Sequence, residues 1–88
     1  MAAVDRTQGK QTSVIVCDPS ILEGEPTVRG TRISVRSIVL ASREFGGVDG
    51  ARRAYPHLDV SAVHDALAYY EAHRREVDRY IVENAADD

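Results

Sequence analysis

The chain has 88 residues, a net charge of −3, and 43 % apolar and 28 % charged residues. This is the length of one domain and the composition of a globular protein rather than a disordered one. The single cysteine, Cys17, excludes an intramolecular disulfide and a thiolate metal cage; no apolar run is long enough to span a membrane.

These features predict a small cytoplasmic protein, since one lone thiol suits a reducing compartment. A chain this short buries only about 60–65 % of its unfolded surface, so oligomerisation is the expected source of extra stability. Charge is unevenly distributed. Residues 29–53 hold six arginines against Glu44 and Asp49, a balance of +4. Residues 57–88 hold Arg74, Arg75 and Arg79 against eight acids, a balance of −5. Two poles of opposite sign can face different partners.

Residues 1–12 read as a flexible polar tail with no stretch of signal-peptide type. Residues 13–82 read as one domain, and 83–88 as an acidic tail. The first element is a short β-branched strand around Val14, Ile15 and Val16, ended by Asp18-Pro19. Glu23 to Pro26 form a turn cluster, Thr27-Val28 a stub of strand, and Gly30 a point of positive φ. Such short strands need a partner, and exchange between two protomers is the favoured pairing.

From Ser34 the apolar period becomes helical. Val35, Ile38, Val39 and Phe45 place a first helix over 35–45, with Ser34 as N-cap and Gly46 just past its end. A short second helix, capped by Asp49, carries Ala51 to Ala54 and is weakened by Gly50; Pro56 ends it. Asp59 then caps a long third helix of about 22 residues, roughly 33 Å. Val60, Val63, Leu67, Tyr70, Arg74, Val77 and Ile81 recur in it by threes and fours. Its first half is expected to pack on the other helices. Its second half, with Val77, Tyr80 and Ile81, is expected to project toward another chain. The fold class is therefore mainly α: a three-helix, helix-turn-helix-like bundle with a short N-terminal β element.

No catalytic constellation stands out. His57, His64 and His73 lack the spacing that sets two metal ligands on one helical face. Cys17 has no basic neighbour in sequence and reads as a half-buried structural thiol. No nucleophile elbow or phosphate-binding loop is present, so neither enzyme nor cofactor is expected. The helix order does suit a helix-turn-helix, which would set the start of the third helix in a DNA major groove. Ser61 and His64 would then meet base edges, with Arg29, Arg32, Arg36, Arg52 and Arg53 reaching phosphates. Asp65 argues the other way toward phosphate, although a carboxylate can accept from cytosine.

The run Gly24-Glu25-Pro26-Thr27-Val28-Arg29-Gly30-Thr31-Arg32-Ile33-Ser34-Val35 is followed by Tyr55-Pro56-His57-Leu58 and Ala66-Leu67-Ala68-Tyr69-Tyr70. Residues 15–70 thereby resemble the bacterial family called domain of unknown function 433, which is linked to VapB-type antitoxins. The resemblance implies a dimeric helix-turn-helix domain preceded by a β element. It also implies a partner toxin, a small nuclease with a PIN-like fold, and repression of the chain's own promoter DNA. Between the helices the sequence departs from the family. A Ser or Thr usually opens the second helix, and Glu and Ile follow; here the run Gly46 to Arg53 is glycine-rich and basic.

The leading expectation is an antitoxin and autorepressor. Toxin binding or dimerisation would fall to Tyr70, Arg74, Arg75, Val77, Arg79, Tyr80 and Ile81, and the dimer strand to Val14, Ile15 and Val16. The alternative is a protein-interaction or scaffold domain that never touches DNA. In neither case is a membrane involved. Within the motif itself, Arg32 reads as a structural pin more than a phosphate contact.

Overall fold

The computed structural model describes residues 14–85, so residues 1–13, with the expected tail, and residues 86–88 lie outside the described part. Two strands, β1 (Ile15–Val16) and β2 (Thr27–Val28), precede four helices. These are α1 (Val35–Phe45), α2 (Gly47–Ala54), α3 (Val60–Ala72) and α4 (Arg74–Ala85). The class is mainly helical with a two-stranded antiparallel sheet, as the sequence predicts.

The strands pair within one chain, Ile15 opposite Val28 and Val16 opposite Thr27. The favoured exchange between protomers is thus not needed to satisfy them. The intervening loop is short and heavily bonded, which makes the local pairing attainable. Asp18 accepts from both the backbone N–H and the hydroxyl of Ser20 at 2.9 and 2.8 Å. Those bonds hold its carboxyl below the ordinary value of 3.8. Leu22 and Glu23 then take positive φ of 50° and 56°.

The motif after the sheet is an interlocked turn. Thr31 N–H donates to Val28 O at 3.0 Å, and Gly30 between them has φ +79°, a conformation that glycine adopts without steric cost. The Thr31 hydroxyl donates to Val28 O at 2.8 Å and accepts from Ile33 N–H at 3.0 Å. Val35 N–H closes back on Pro26 O at 2.9 Å. Pro26, Val28 and Val35 are buried, so the apolar residues of the motif enter the core while the polar ones close the turn.

Helix α1 has the predicted bounds. Ser34 Oγ accepts from Ser37 N–H at 3.0 Å, and Gly46 is left-handed with φ 97° and ψ 53°. Its buried face is Val35, Ile38, Val39 and Ala41. Helix α2 starts at Gly47, two residues before the expected cap Asp49, and has no side-chain cap. Gly50 is a contact point rather than a weakness. A Cβ there would lie 2.7 Å from Phe45 Cβ and closer still to the Phe45 carbonyl, so glycine lets α2 ride against the end of α1. Tyr55 to Leu58 close the predicted turn through a Leu58 N–H to Tyr55 O bond of 3.0 Å. Asp59 is the N-cap of α3 in position, with no side-chain capping bond.

The long third helix is two helices. His73 leaves helical geometry at φ −134° and ψ 43°, and α4 packs on its own chain. Val77 is 1 % exposed and Tyr70 is 7 % exposed, both in the core formed by α1, α2 and α3. Tyr80 and Ile81 are half-buried. The expected projection toward another chain is therefore not seen in this chain, where Val77 enters its own core. Helix α4 also runs to Ala85, so Glu83 and Asn84 are helical rather than part of a tail. Among the described residues, no helix is long and apolar enough to cross a membrane.

Candidate nucleic-acid interface

Two open concavities flank the first turn of α3 and share Leu58 and Asp59. One, about 630 Å³, is lined by Asp49, Arg52, Arg53, Pro56 and Val60. The other, about 440 Å³, is lined by Val14, Val28, Arg29, Thr31, His57, Ser61 and Ala62. The β2 turn thus delivers Arg29 to one side of the helix start, and α2 delivers Arg52 and Arg53 to the other. Ser61 and His64 are exposed on α3 itself, one turn apart and so on one face.

The arginines differ in how tightly they are held. Arg52 lies 3.7 Å from Asp49 in a solvent-exposed pair, which restrains it little. Arg53 Nη2 donates to Phe45 O at 2.8 Å, closing a carbonyl at the end of α1 from an exposed position. Arg32 is exposed and makes no hydrogen bond or ion pair among the described residues, so the expected pin is not Arg32.

That structural role belongs to Arg36. Its Nε and Nη2 donate to Glu25 at 2.7 and 3.2 Å, and the Glu25 side chain is only 6 % exposed. Arg36 also lines a separate cleft with Tyr80, Glu83 and Asn84. It stands apart from the first turn of α3, and the fork that would grip a phosphate is already committed to a carboxylate. Sequence reasoning missed Glu25 because an acid beside a turn proline reads as surface. No local rule pairs an acid with an arginine eleven residues away, so the sequence carried no signal for the pair.

The expected partner-binding set is also divided. Tyr70 and Val77 are core residues. Arg74 is bonded to Glu71 at 2.9 and 3.2 Å and sits 5.2 Å from the Tyr70 ring; Glu71 and Tyr70 both raise its pKa, Glu71 the more strongly. Arg75 and Arg79 remain exposed, with Arg79 3.7 Å from Glu83. Val82, 69 % exposed, follows them at helical spacing, giving an open stripe of 75, 79 and 82 along α4. Cys17 is exposed rather than half-buried. Among the described residues no His, Cys, Asp and Glu side chains are grouped to hold a metal ion.

A bonded group that sequence reasoning did not anticipate joins α3 to α4. Tyr69 donates to Glu76 at 2.8 Å, and Tyr70 donates to Asp78 at 2.8 Å while accepting from Arg43 at 2.8 Å. Burial and the Glu76 carboxylate push the Tyr69 hydroxyl well above its ordinary 10, which keeps it a donor.

Comparison with known proteins agrees with this architecture. The chain is similar to a solved crystal structure of a DUF433 member protein from Anabaena variabilis, with a TM-score of 0.71 and 27 % identity over 80 % of this chain and 69 % of that one. It is 34 % identical over 59 residues to the uncharacterized protein y4eO of Sinorhizobium fredii. That match spans 67 % of this chain and about a quarter (27 %) of the relative. Residues 15–70, from β1 to the core tyrosine of α3, match the family described as "Protein of unknown function (DUF433)", and the chain belongs to that family.

Proposed function

We propose that this chain is a DNA-binding antitoxin: a dimer that sets the start of α3 into the major groove of its own promoter and neutralises a PIN-like nuclease toxin. The observation that carries the DNA reading is the placement of Arg29 on one side of the first turn of α3, and Arg52 and Arg53 on the other. A helix start presented between cationic flanks suits docking in a groove bounded by two phosphate backbones. Ser61 and His64 are the base-edge contacts, and Arg32 extends the phosphate contacts. The toxin reading rests on the family resemblance and assigns the contact to Arg75, Arg79 and Val82.

Binding of the chain to DNA from upstream of its own coding region, measured across salt concentrations, tests this. Each phosphate contact contributes about −0.9 to the slope of log K against log salt. The double substitution Arg52→Ala, Arg53→Ala should flatten that slope by about 1.8. No measurable affinity at low salt eliminates the repressor role. Affinity capture from the native host, with DNase, tests the other half: a stoichiometric small nuclease supports the antitoxin role, and its absence removes it.

A second reading, a protein-interaction domain that does not touch DNA, is favoured by one observation. Asp49 and Asp59 stand in the same concavity as the arginines, and Asp65 is exposed on α3. A salt-independent, DNase-resistant partner with no DNA affinity would establish it.

A further inference from the structure

The junction of α3 and α4 is interrupted at a single residue. His73 N–H still donates to Tyr69 O at 2.9 Å, and Val77 N–H to His73 O at 3.0 Å, both with helical i to i−4 spacing. Between them His73 itself leaves helical geometry, at φ −134° and ψ 43°, and the helix is broken there. No helix breaker causes this, because neither glycine nor proline occurs after Pro56. His73 is bent by its surroundings: its ring stacks on Tyr69 with centroids 4.0 Å apart.

What holds α4 back is a small set of side-chain contacts. Val77 is the one α4 residue in the fully buried core. Asp78 accepts from Tyr70 at 2.8 Å and lies 3.9 Å from Arg43 of α1. Glu76 accepts from Tyr69 at 2.8 Å. The α1 and core contacts of Val77 and Asp78 do not depend on which chain supplies α4. A continuous helix over 60–85 would remove the break at His73 and align Val63, Leu67, Tyr70, Val77 and Ile81 along one seam. It would also place α4 beyond the reach of its own α1.

We propose that α4 exchanges between two copies of this chain, with α3 and α4 joined through His73 into one helix and each α4 seated on the partner's α1. The partner is a second copy because only the same sequence reproduces the Val77 and Asp78 contacts. Exchange of an identical element is a low-cost route to a dimer, and hinge positions govern it. The proposal goes beyond the DNA and toxin reading, and its test contains neither.

The test is mass by light scattering after size-exclusion chromatography, on the full chain. His73→Ala removes the stacked ring and installs the best helix former, and it should raise the fraction of protein at twice the 9.7 kDa mass of one chain. In the His73→Ala background, Arg43→Asp is placed in one chain and Asp78→Arg in another. Alone, each chain carries like charges at the α1–α4 contact. When the two are mixed, each α4 of an exchanged heterodimer sits on the other chain's α1, so Arg43 meets Asp78 at one contact and the two reversed residues meet at the other, with opposite charges at both. The exchanged heterodimer therefore relieves the like charges that each homodimer carries, and its fraction should exceed the statistical half. A folded, monomeric His73→Ala chain overturns the proposal. So does a dimer whose two charge-reversed chains combine only statistically, since that dimer would use another surface. If His73→Ala does not fold by circular dichroism, the same charge pair is measured in the chain with His73 kept: a heterodimer fraction above half supports exchange, and a statistical one, or no dimer, overturns it.

Discussion

Replacing Arg36 with alanine separates an arginine that builds the fold from the arginines that flank the start of α3. The substitution removes both donors from Glu25, Nε at 2.7 Å and Nη2 at 3.2 Å, and leaves a carboxylate whose side chain is 6 % exposed. Removing one partner of a buried pair costs about 3–5 kcal/mol. Arg36 is itself 20 % exposed, so water recovers part of that loss, and about 2–4 kcal/mol is expected for Arg36→Ala. The total stability of a domain of this size is roughly 4–13 kcal/mol, so the loss should be plain in urea denaturation. In thermal melts it should lower Tm by at least about 8 °C. Glu25→Gln should cost less, because the freed guanidinium can turn to solvent. The same Arg36→Ala chain should keep the native salt slope for DNA. A stability change within about 0.5 kcal/mol of the native chain, the range of ordinary surface substitutions, would refute the reasoning. So would a flattened salt slope with stability unchanged.

Two further outcomes follow from particular contacts. Gly50→Ala should destabilise by about 1–3 kcal/mol through overpacking, despite the gain of roughly 1 kcal/mol in helix propensity, because the new Cβ meets the Phe45 carbonyl and Cβ; a raised Tm would refute the close approach. The Tyr69 hydroxyl is held above its ordinary 10 by burial first and Glu76 second. Its contribution to stability is therefore whole below pH 10 and lost as pH rises from there toward the folded-state value. Tyr69→Phe should flatten the alkaline limb of stability against pH, and an unchanged limb would contradict the Tyr69–Glu76 bond.

The class of the protein, the bounds of α1 and the turn at Tyr55–Leu58 were legible in the residues because their signals are local. A serine hydroxyl three residues from an amide, a glycine at a left-handed position and a proline after a helix act within one turn of chain. The flank of the candidate site was half legible. Arginines at 29, 52 and 53 could be named from sequence, yet only packing shows that β2 and α2 carry them to opposite sides of one helix start. Arg36 was indistinguishable from its neighbours until Glu25 was placed beside it.

The apolar periodicity determined which segments are helical and most of the face that each buries, although Phe45 and Val60, expected on those faces, are exposed. Tertiary structure alone decided that a stripe continuous from Val60 to Ile81 would bend at His73. A periodic pattern records which side chains avoid water, not whether one helix or two serve them. The bend exists because Val77 can enter the core of its own chain, and because Tyr69 and Tyr70 can reach carboxylates seven and eight residues ahead. In a straight helix those carboxylates would lie about 10 and 12 Å further along the axis, so the bonds that favour the bend do not exist until the bend has formed.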